Sequence, residues 1–310
     1  MNNTRLFFHP IFAEHLTGPG HPERPDRIRA VEAALEDEAF QNLDRAECPE
    51  APLEAIYRCH PEDFVRKLAK AVPVEGLARI DGDTLLSPKS FSAALHGVGG
   101  AVQAVDDVVS GSARNAFVAA RPPGHHAARG TAMGFCLFNQ AAIAARHAQE
   151  AHGLERVAIV DWDVHHGNGT QDIFFDDATV LYASTHQMPL YPGTGAASER
   201  GTHDTMVNAP LSAGDGSDTF REAFEVRILP ALHTFRPDLV IVSAGFDAHH
   251  RDPLGSLRLT EADFDWATGK LLDVAERHAG GRLVSLLEGG YDLQGLGSSV
   301  AAHVKRLMTG

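Results

Sequence analysis

Short apolar runs rich in Val, Ile and Phe recur along the chain between longer stretches patterned like helices. The runs predict strands over Arg5–Phe8, Ala116–Ala119, Val157–Asp161, Val180–Ser184, Leu239–Ala244 and Leu283–Leu287. All but the first are nearly continuous in apolar residues, as in strands covered on both faces. The longer stretches predict helices over Pro25–Asp37, Pro61–Ala71, Pro88–Ser110, Asn139–Ala151, Asp218–Phe235, Glu261–Ala279 and Leu293–Leu307. Thr260-Glu-Ala-Asp263 has the form of a capping box with Asp in place of Glu, which marks a helix start. Strands alternating with helices predict an α/β fold with a mostly parallel sheet and helices on both faces. No linker, low-complexity tract or internal repeat interrupts the pattern, so residues 1–310 are expected to form a single domain.

Composition narrows the classes of function. Hydrophobic residues make up 44% of the chain and charged residues 22%, which is a globular rather than a disordered balance. The 27 Lys+Arg stand against 41 Asp+Glu, for a formal charge of −14, and no basic block compensates. Direct binding to nucleic acid or to an anionic membrane is therefore not expected, whereas a cationic substrate suits the balance. Cys48, Cys59 and Cys136 are odd in number and show no CxxC spacing, which argues for a reducing compartment, the cytoplasm, and against a disulfide framework. The opening MNNTRLFFHP does not read as a signal peptide. No apolar stretch approaches the roughly 20 residues of a membrane span.

The 18 histidines are the outlying feature, and six of them form the adjacent pairs His125-His126, His165-His166 and His249-His250. The first two pairs follow predicted strands, where ligands bind in open parallel sheets. In Ile159-Val-Asp161-Trp-Asp163-Val-His165-His166, an apolar strand ends in charges. Asp161, Asp163 and His165 are two apart and share one face of an extended backbone. Two carboxylates and an imidazole there suit a divalent cation; a charged strand end that merely meets solvent is the plainer alternative. Asp247 follows another apolar strand, and Asp163, His165 and Asp247 would make a three-ligand site open to water and substrate, as in catalytic metal centres. His249 and His250 are expected to be exposed loop residues without a ligand role. His125 and His126, in Arg121-Pro-Pro-Gly-His-His126, are placed to orient water, take its proton and return it to a leaving group. Tyr291, in Leu287-Glu-Gly-Gly-Tyr291, is placed to donate a hydrogen bond to a developing oxyanion; alone, the motif also reads as a plain turn.

Together these segments resemble the histone deacetylase superfamily, which includes acetylpolyamine amidohydrolases and acetoin-utilisation proteins. The resemblance runs from about His9 to Leu296. Its class II-like details are His21-Pro-Glu-Arg-Pro-Asp-Arg27, Arg121-Pro-Pro-Gly-His-His126, Gly134-Phe-Cys-Leu-Phe-Asn139, Asp161-Trp-Asp-Val-His-His-Gly-Asn-Gly-Thr-Gln171 and Glu288-Gly-Gly-Tyr291. It implies the arginase/deacetylase fold, an eight-stranded mainly parallel sheet flanked by helices. It also implies a divalent metal, usually Zn2+ with Fe2+ as the alternative, on Asp163, His165 and Asp247. His125 and His126 become the catalytic pair, the first backed by Asp161 and the second by Asn168, where class I members place Asp. An amide supplies no negative charge, so the two histidines should differ in basicity. Tyr291 takes the carbonyl-polarising position. Gly134, Phe135, Tyr191 and Leu254 take the substrate-binding positions, Tyr191 in place of the commoner Phe. Structural K+ would sit at an inner site of Asp161, Asp163, His165, Ser184 and Thr185 and an outer site of Phe174, Asp177 and Val180.

The activity so implied is metal-dependent deacylation of an acyl-lysine peptide or protein, or of a small acylated amine, by a monomer or a homo-oligomer. An acetylpolyamine amidohydrolase is the competing enzyme reading. One polyamine-selective branch carries Glu where Asp252-Pro-Leu254-Gly255 has leucine, which favours lysine-type substrates. Asp81 or Asp83 in Ile80-Asp-Gly-Asp83 could still supply the acid. A catalytically silent acyl-binding scaffold is the third reading, set back by the filled mechanistic positions. A serine hydrolase is disfavoured by the lack of a Gly-x-Ser-x-Gly elbow.

Overall fold

Ten strands form among the described residues: β1 (Thr4–Phe8), β2 (Asp44–Glu47), β3 (Ala78–Arg79), β4 (Leu85–Leu86), β5 (Asn115–Val118), β6 (Val157–Asp161), β7 (Val180–Gln187), β8 (Met206–Leu211), β9 (Leu239–Ala244) and β10 (Leu283–Leu287). The structure, a computed structural model, describes residues 3–310. Eight strands join one sheet in the order β2-β1-β5-β10-β9-β6-β7-β8, while β3 and β4 pair as a separate antiparallel hairpin. Every neighbouring pair in the large sheet is parallel, so it is wholly rather than mainly parallel. All residues of β5, β6, β7, β9 and β10 are buried, which is why these strands read as continuous apolar runs.

Helices cover both faces. Successive strand side chains point to opposite sides. Phe117 meets His303 of helix Leu293–Thr309, whereas Val118 faces Gly100 of helix Ser90–Ser110. Asp263 Oδ2 accepts the backbone N–H of Thr260 at 3.0 Å, which completes its half of the expected capping box at the start of helix Glu261–His278. The predicted helix Asp218–Phe235 departs from expectation. It is broken into Ser217–Ala223, a π turn at Phe224–Ile228, and Leu229–Phe235, which carries Pro230 in its first turn. Proline lacks the N–H that would continue the ladder, and its ring crowds the preceding turn.

What positions the site is adjacency. The strands β5, β10, β9 and β6 are consecutive in the sheet and run the same way. Their carboxyl ends therefore open on one edge, and each launches one of the four unusual segments.

Candidate active site

Asp163, His165 and Asp247 meet just beyond the ends of β6 and β9, all buried, with their donor atoms within 4.8 Å of one another. His165 Nδ1 lies 3.0 Å from Asp163 Oδ1 and 3.1 Å from Asp247 Oδ2. The backbone N–H of Val164 donates to Asp247 Oδ1 at 2.8 Å, and that of Gly289 donates to Asp163 Oδ2 at 2.8 Å. Residue 289 must be glycine for this approach, since a Cβ there would lie 2.1 Å from Asp247 Oδ2. Burial, then the charge on Asp163, pushes the Asp247 carboxyl up to about 7. Two buried carboxylates that repel across one imidazole are relieved by a divalent cation between them. The donor set thus fits zinc or ferrous iron.

The histidine pair sits beside this cluster. His125 Nδ1 is 2.9 Å from Asp161 Oδ2, which also accepts the Tyr182 hydroxyl at 3.0 Å. His126 Nδ1 is 2.8 Å from Asn168 Oδ1. The two rings differ in basicity, and burial and neighbouring charges set the difference. Burial opposes charge on His125, but Asp161 and Asp163 outweigh it and hold the ring well above the usual histidine range. Burial, with His125 and His165 nearby, pushes His126 well below that range.

Several residues that hold these groups were quoted in motifs but given no role. Glu288 directly follows β10, much as Asp161 ends β6, an acid closing an apolar run. Its Oε2 accepts the backbone N–H groups of Gly124 and His125 at 2.7 and 3.1 Å, fixing the histidine loop. Arg27 donates to the carbonyls of Gly290 and Glu288, each at 2.6 Å, and its guanidinium lies 4.8 Å from the Tyr291 ring centre. Glu23 pairs with Arg27 at 2.9 Å and with Arg121 at 2.7 Å, all three fully buried. Asp252 accepts backbone N–H groups from Leu254, Tyr291 and Asp292. The repeated acids and arginines of His21–Arg27 were the available signal; their partners lie too far along the chain to be read locally.

A cavity of 250 Å³ leads down to the cluster, lined by Asp83, Gly134, Phe135, Tyr191, Leu254 and Tyr291 among others, with His126 and His165 at its base. All four expected substrate-binding residues are in its wall. Tyr191 meets the His126 ring edge-on at 5.1 Å, and Phe135 meets Tyr291 at 5.8 Å. Phe135 takes a left-handed φ of 68°, and its N–H donates to Thr84 Oγ1 at 3.1 Å. Such backbone strain in a non-glycine residue clusters at ligand sites. Asp83, left unplaced between the two acids of its loop, also reaches the wall.

Of the residues expected near monovalent cations, Asp161 and Ser184 are register partners in the sheet. At the outer group, the Asp177 carboxylate already meets Arg146 at 2.6 Å and Thr179, so backbone oxygens are what remains there. One expectation is corrected: His249 is buried, not exposed, while His250 is exposed. The loop turns back to bridge His249 with Leu259, and the ring packs where a Cβ on Gly295 would lie 2.7 Å from its Nδ1.

Parallel α/β sheets work at the carboxyl ends of their strands, and a carboxylate-held histidine beside a mixed oxygen and nitrogen donor set is equipment for hydrolysis. Fold and site together have the layout of a hydrolase built on a parallel α/β sheet, with a buried, tunnel-fed centre. Comparison with known proteins then places the chain. It belongs to the histone deacetylase family, whose Histone deacetylase domain it matches across residues 21–307. It is similar to a probable deacetylase of Archaeoglobus fulgidus, 40% identical over 94% of this chain and 82% of the relative. It is also similar to the histone deacetylase-like amidohydrolase of Pseudomonas aeruginosa, 38% identical over 93% of this chain and 81% of the relative. Among solved structures it resembles the HDA15 HD domain, with a TM-score of 0.94, 38% identity, and coverage of 99% of this chain and 88% of that one. No helix among the described residues is long and apolar enough to cross a membrane.

Proposed function

We propose that this single catalytic domain hydrolyses N6-acyl-lysine-type amides, adding water across the C–N bond to give a carboxylic acid and a free amine. The observation that carries this reading is the cavity whose base holds His126 and His165 and whose wall holds Tyr291. Asp163, His165 and Asp247 would hold zinc, with ferrous iron as the alternative, and the ion supplies Lewis acidity toward the amide carbonyl and water. His126, low in basicity and oriented by Asn168, accepts the proton of the attacking water and later returns it to the departing amine. His125, held by Asp161, is protonated and stabilises the negative charge that builds on the oxygens around the carbon under attack. Tyr291 donates its hydroxyl hydrogen to the carbonyl oxygen, and burial keeps that phenol protonated. Phe135 and Tyr191 exclude water and guide an extended alkyl chain. Structural potassium near Asp161 and Ser184 belongs to the same reading, and a reducing compartment such as the cytoplasm suits three buried free cysteines.

Acylated polyamines are the second substrate reading, favoured by Asp83. Its half-exposed carboxylate shares the cavity wall with Leu254, and its charge adds to burial in raising the Tyr191 phenol. The apolar Leu254 is thus not the only determinant at the mouth. A turnover screen of acetyl-lysine peptides, longer acyl-lysines and acetylated polyamines on the metal-replete protein tests both readings. Hydrolysis of none of them, or loss of no more than tenfold in Tyr291→Phe, overturns the proposed mechanism.

A further inference from the structure

A second cluster of metal-binding side chains lies away from the cavity. Asp106 is on helix Ser90–Ser110, and His147 and His152 are on helix Gln140–His152. Both imidazoles aim Nε2 at the same atom, Asp106 Oδ1, at 2.6 Å each. The three donor atoms lie within 4.8 Å of one another. The His147 and His152 rings stand edge to face at 5.4 Å. Side-chain exposure is 10% for His147, 24% for His152 and 38% for Asp106, so the cluster is anchored on one side and open to solvent on the other.

The place in the fold separates it from the active site. Each of these helices feeds the amino end of the next strand, so their last turns lie at the opposite edge of the sheet from the cavity. The second helix begins beside the site, where Asn139 caps it and also donates to Ala127 O. Its 13 residues, at about 1.5 Å each, put His152 roughly 20 Å from that start.

We infer that Asp106, His147 and His152 form a transition-metal site that clips the ends of these two helices together. Two nitrogens and one carboxylate oxygen, with solvent to complete the shell, select Zn2+, Ni2+ or Cu2+ over Mg2+ and Ca2+. The chemistry balances without a further reactant. Two neutral imidazoles donating Nε2–H to one oxygen account for the metal-free contacts. Each binds an ion through Nε2 once its hydrogen moves to Nδ1, with no net proton released. His147 Nδ1 is buried with no hydrogen-bond partner, so its hydrogen would be unsatisfied. Ligating imidazoles ordinarily donate that hydrogen to a second partner. The clip therefore binds more weakly than a fully supported site and fills after the one formed by Asp163, His165 and Asp247.

The test is zinc stoichiometry by elemental analysis. Full-length wild type, His152→Gln and Asp106→Ala are each equilibrated with excess Zn2+ and then with a weak chelator that strips loosely held ions. Each variant should hold one equivalent fewer than wild type, whatever the catalytic site retains, and each should hydrolyse amide substrate at the wild-type rate. Added to protein whose Asp163/His165/Asp247 site is already filled, Zn2+ should also raise the Tm of the wild type by a step that is absent in both variants. Equal zinc content in all three proteins, or an equal Tm step, overturns the proposal and leaves the cluster a hydrogen-bonded triad.

Discussion

The Asp252 carboxylate takes the backbone N–H of Tyr291 at 2.6 Å through Oδ2, while its Oδ1 takes that of Leu254 at 2.9 Å. One buried side chain thus ties the loop after β9 to the loop after β10. It sets the height of the tyrosine and of a residue in the cavity wall together.

Asp252→Ala should therefore act on the chemical step. Displacing a reacting group by about 1 Å costs on the order of 100-fold in rate, so kcat should fall by roughly that factor with KM little changed. The unpaired N–H groups should also cost about 1–3 kcal/mol each in stability. Asp252→Asn keeps one acceptor oxygen and should lie between the two. Steady-state kinetics alongside urea denaturation checks this; a stability loss without a kcat loss would assign Asp252 to the fold alone.

Gly289→Ala should abolish metal retention at the Asp163/His165/Asp247 site without unfolding the chain. The added Cβ would lie 2.1 Å from Asp247 Oδ2 and 2.5 Å from Asp163 Oδ2, which forces the carboxylates apart. Gly216→Ala is the control, because its nearest neighbour would be 3.6 Å away. Elemental analysis and far-ultraviolet circular dichroism on both variants decide the matter. Metal at the Asp163/His165/Asp247 site of Gly289→Ala would show that the carboxylates adapt.

Asp83→Asn should separate the substrate classes. A carboxylate beside Tyr191 at the cavity wall pairs with the distal ammonium of a polyamine, and a partly exposed pair of this kind contributes about 0.2–1 kcal/mol. The variant should raise KM for an N-acetylated diamine by roughly 1.5- to 5-fold. A peptide whose acetyl-lysine has no neighbouring charge should change less. Equal effects on both would mean that Asp83 serves by hydrogen bonding to the substrate rather than by its charge.

How much of this was legible depends on where each interaction lives. Strands β5, β6, β7, β9 and β10 were readable because double-sided burial demands unbroken apolar runs. The edge strands were not. In β2 the sequence Asp-Arg-Ala-Glu alternates between half-buried and exposed, and β8 contains Pro210, tolerated only because one side of an edge strand needs no ladder partner. Asp161, Asp163 and His165 were readable because spacing by two puts them on one face of a single segment. Arg27 was not, because its partner Gly290 stands 263 positions away. His249 was misread because a pair of histidines after a strand looks like exposed loop until the return of Leu259 is known.

His303 provides a test of the core itself. It is fully buried, and burial pushes its imidazole down to about 3. The Thr268 hydroxyl donates to Phe264 O at 2.6 Å, so its oxygen accepts the His303 Nδ1 hydrogen, also at 2.6 Å. Nε2 is then left to accept from the Ser285 hydroxyl at 2.9 Å, which fixes a neutral ring. In the unfolded chain the same ring titrates near 6.5. Below about pH 6.5 the unfolded state takes up a proton that the folded state refuses. The stabilisation is complete above that pH and is lost as pH falls toward 3, at about 1.4 kcal/mol per pH unit. His60 and His186, each pushed by burial to about 4, titrate in the same direction but are common to wild type and variant, so they cancel in the comparison. Urea denaturation of wild type and His303→Gln at pH 6.5 and pH 5 isolates the one group. The variant should be less stable at both values, yet wild type should lose about 1.6 kcal/mol more than the variant between them, since the unfolded ring is already half protonated at pH 6.5. Equal losses in the two proteins would mean that His303 takes a proton inside the fold.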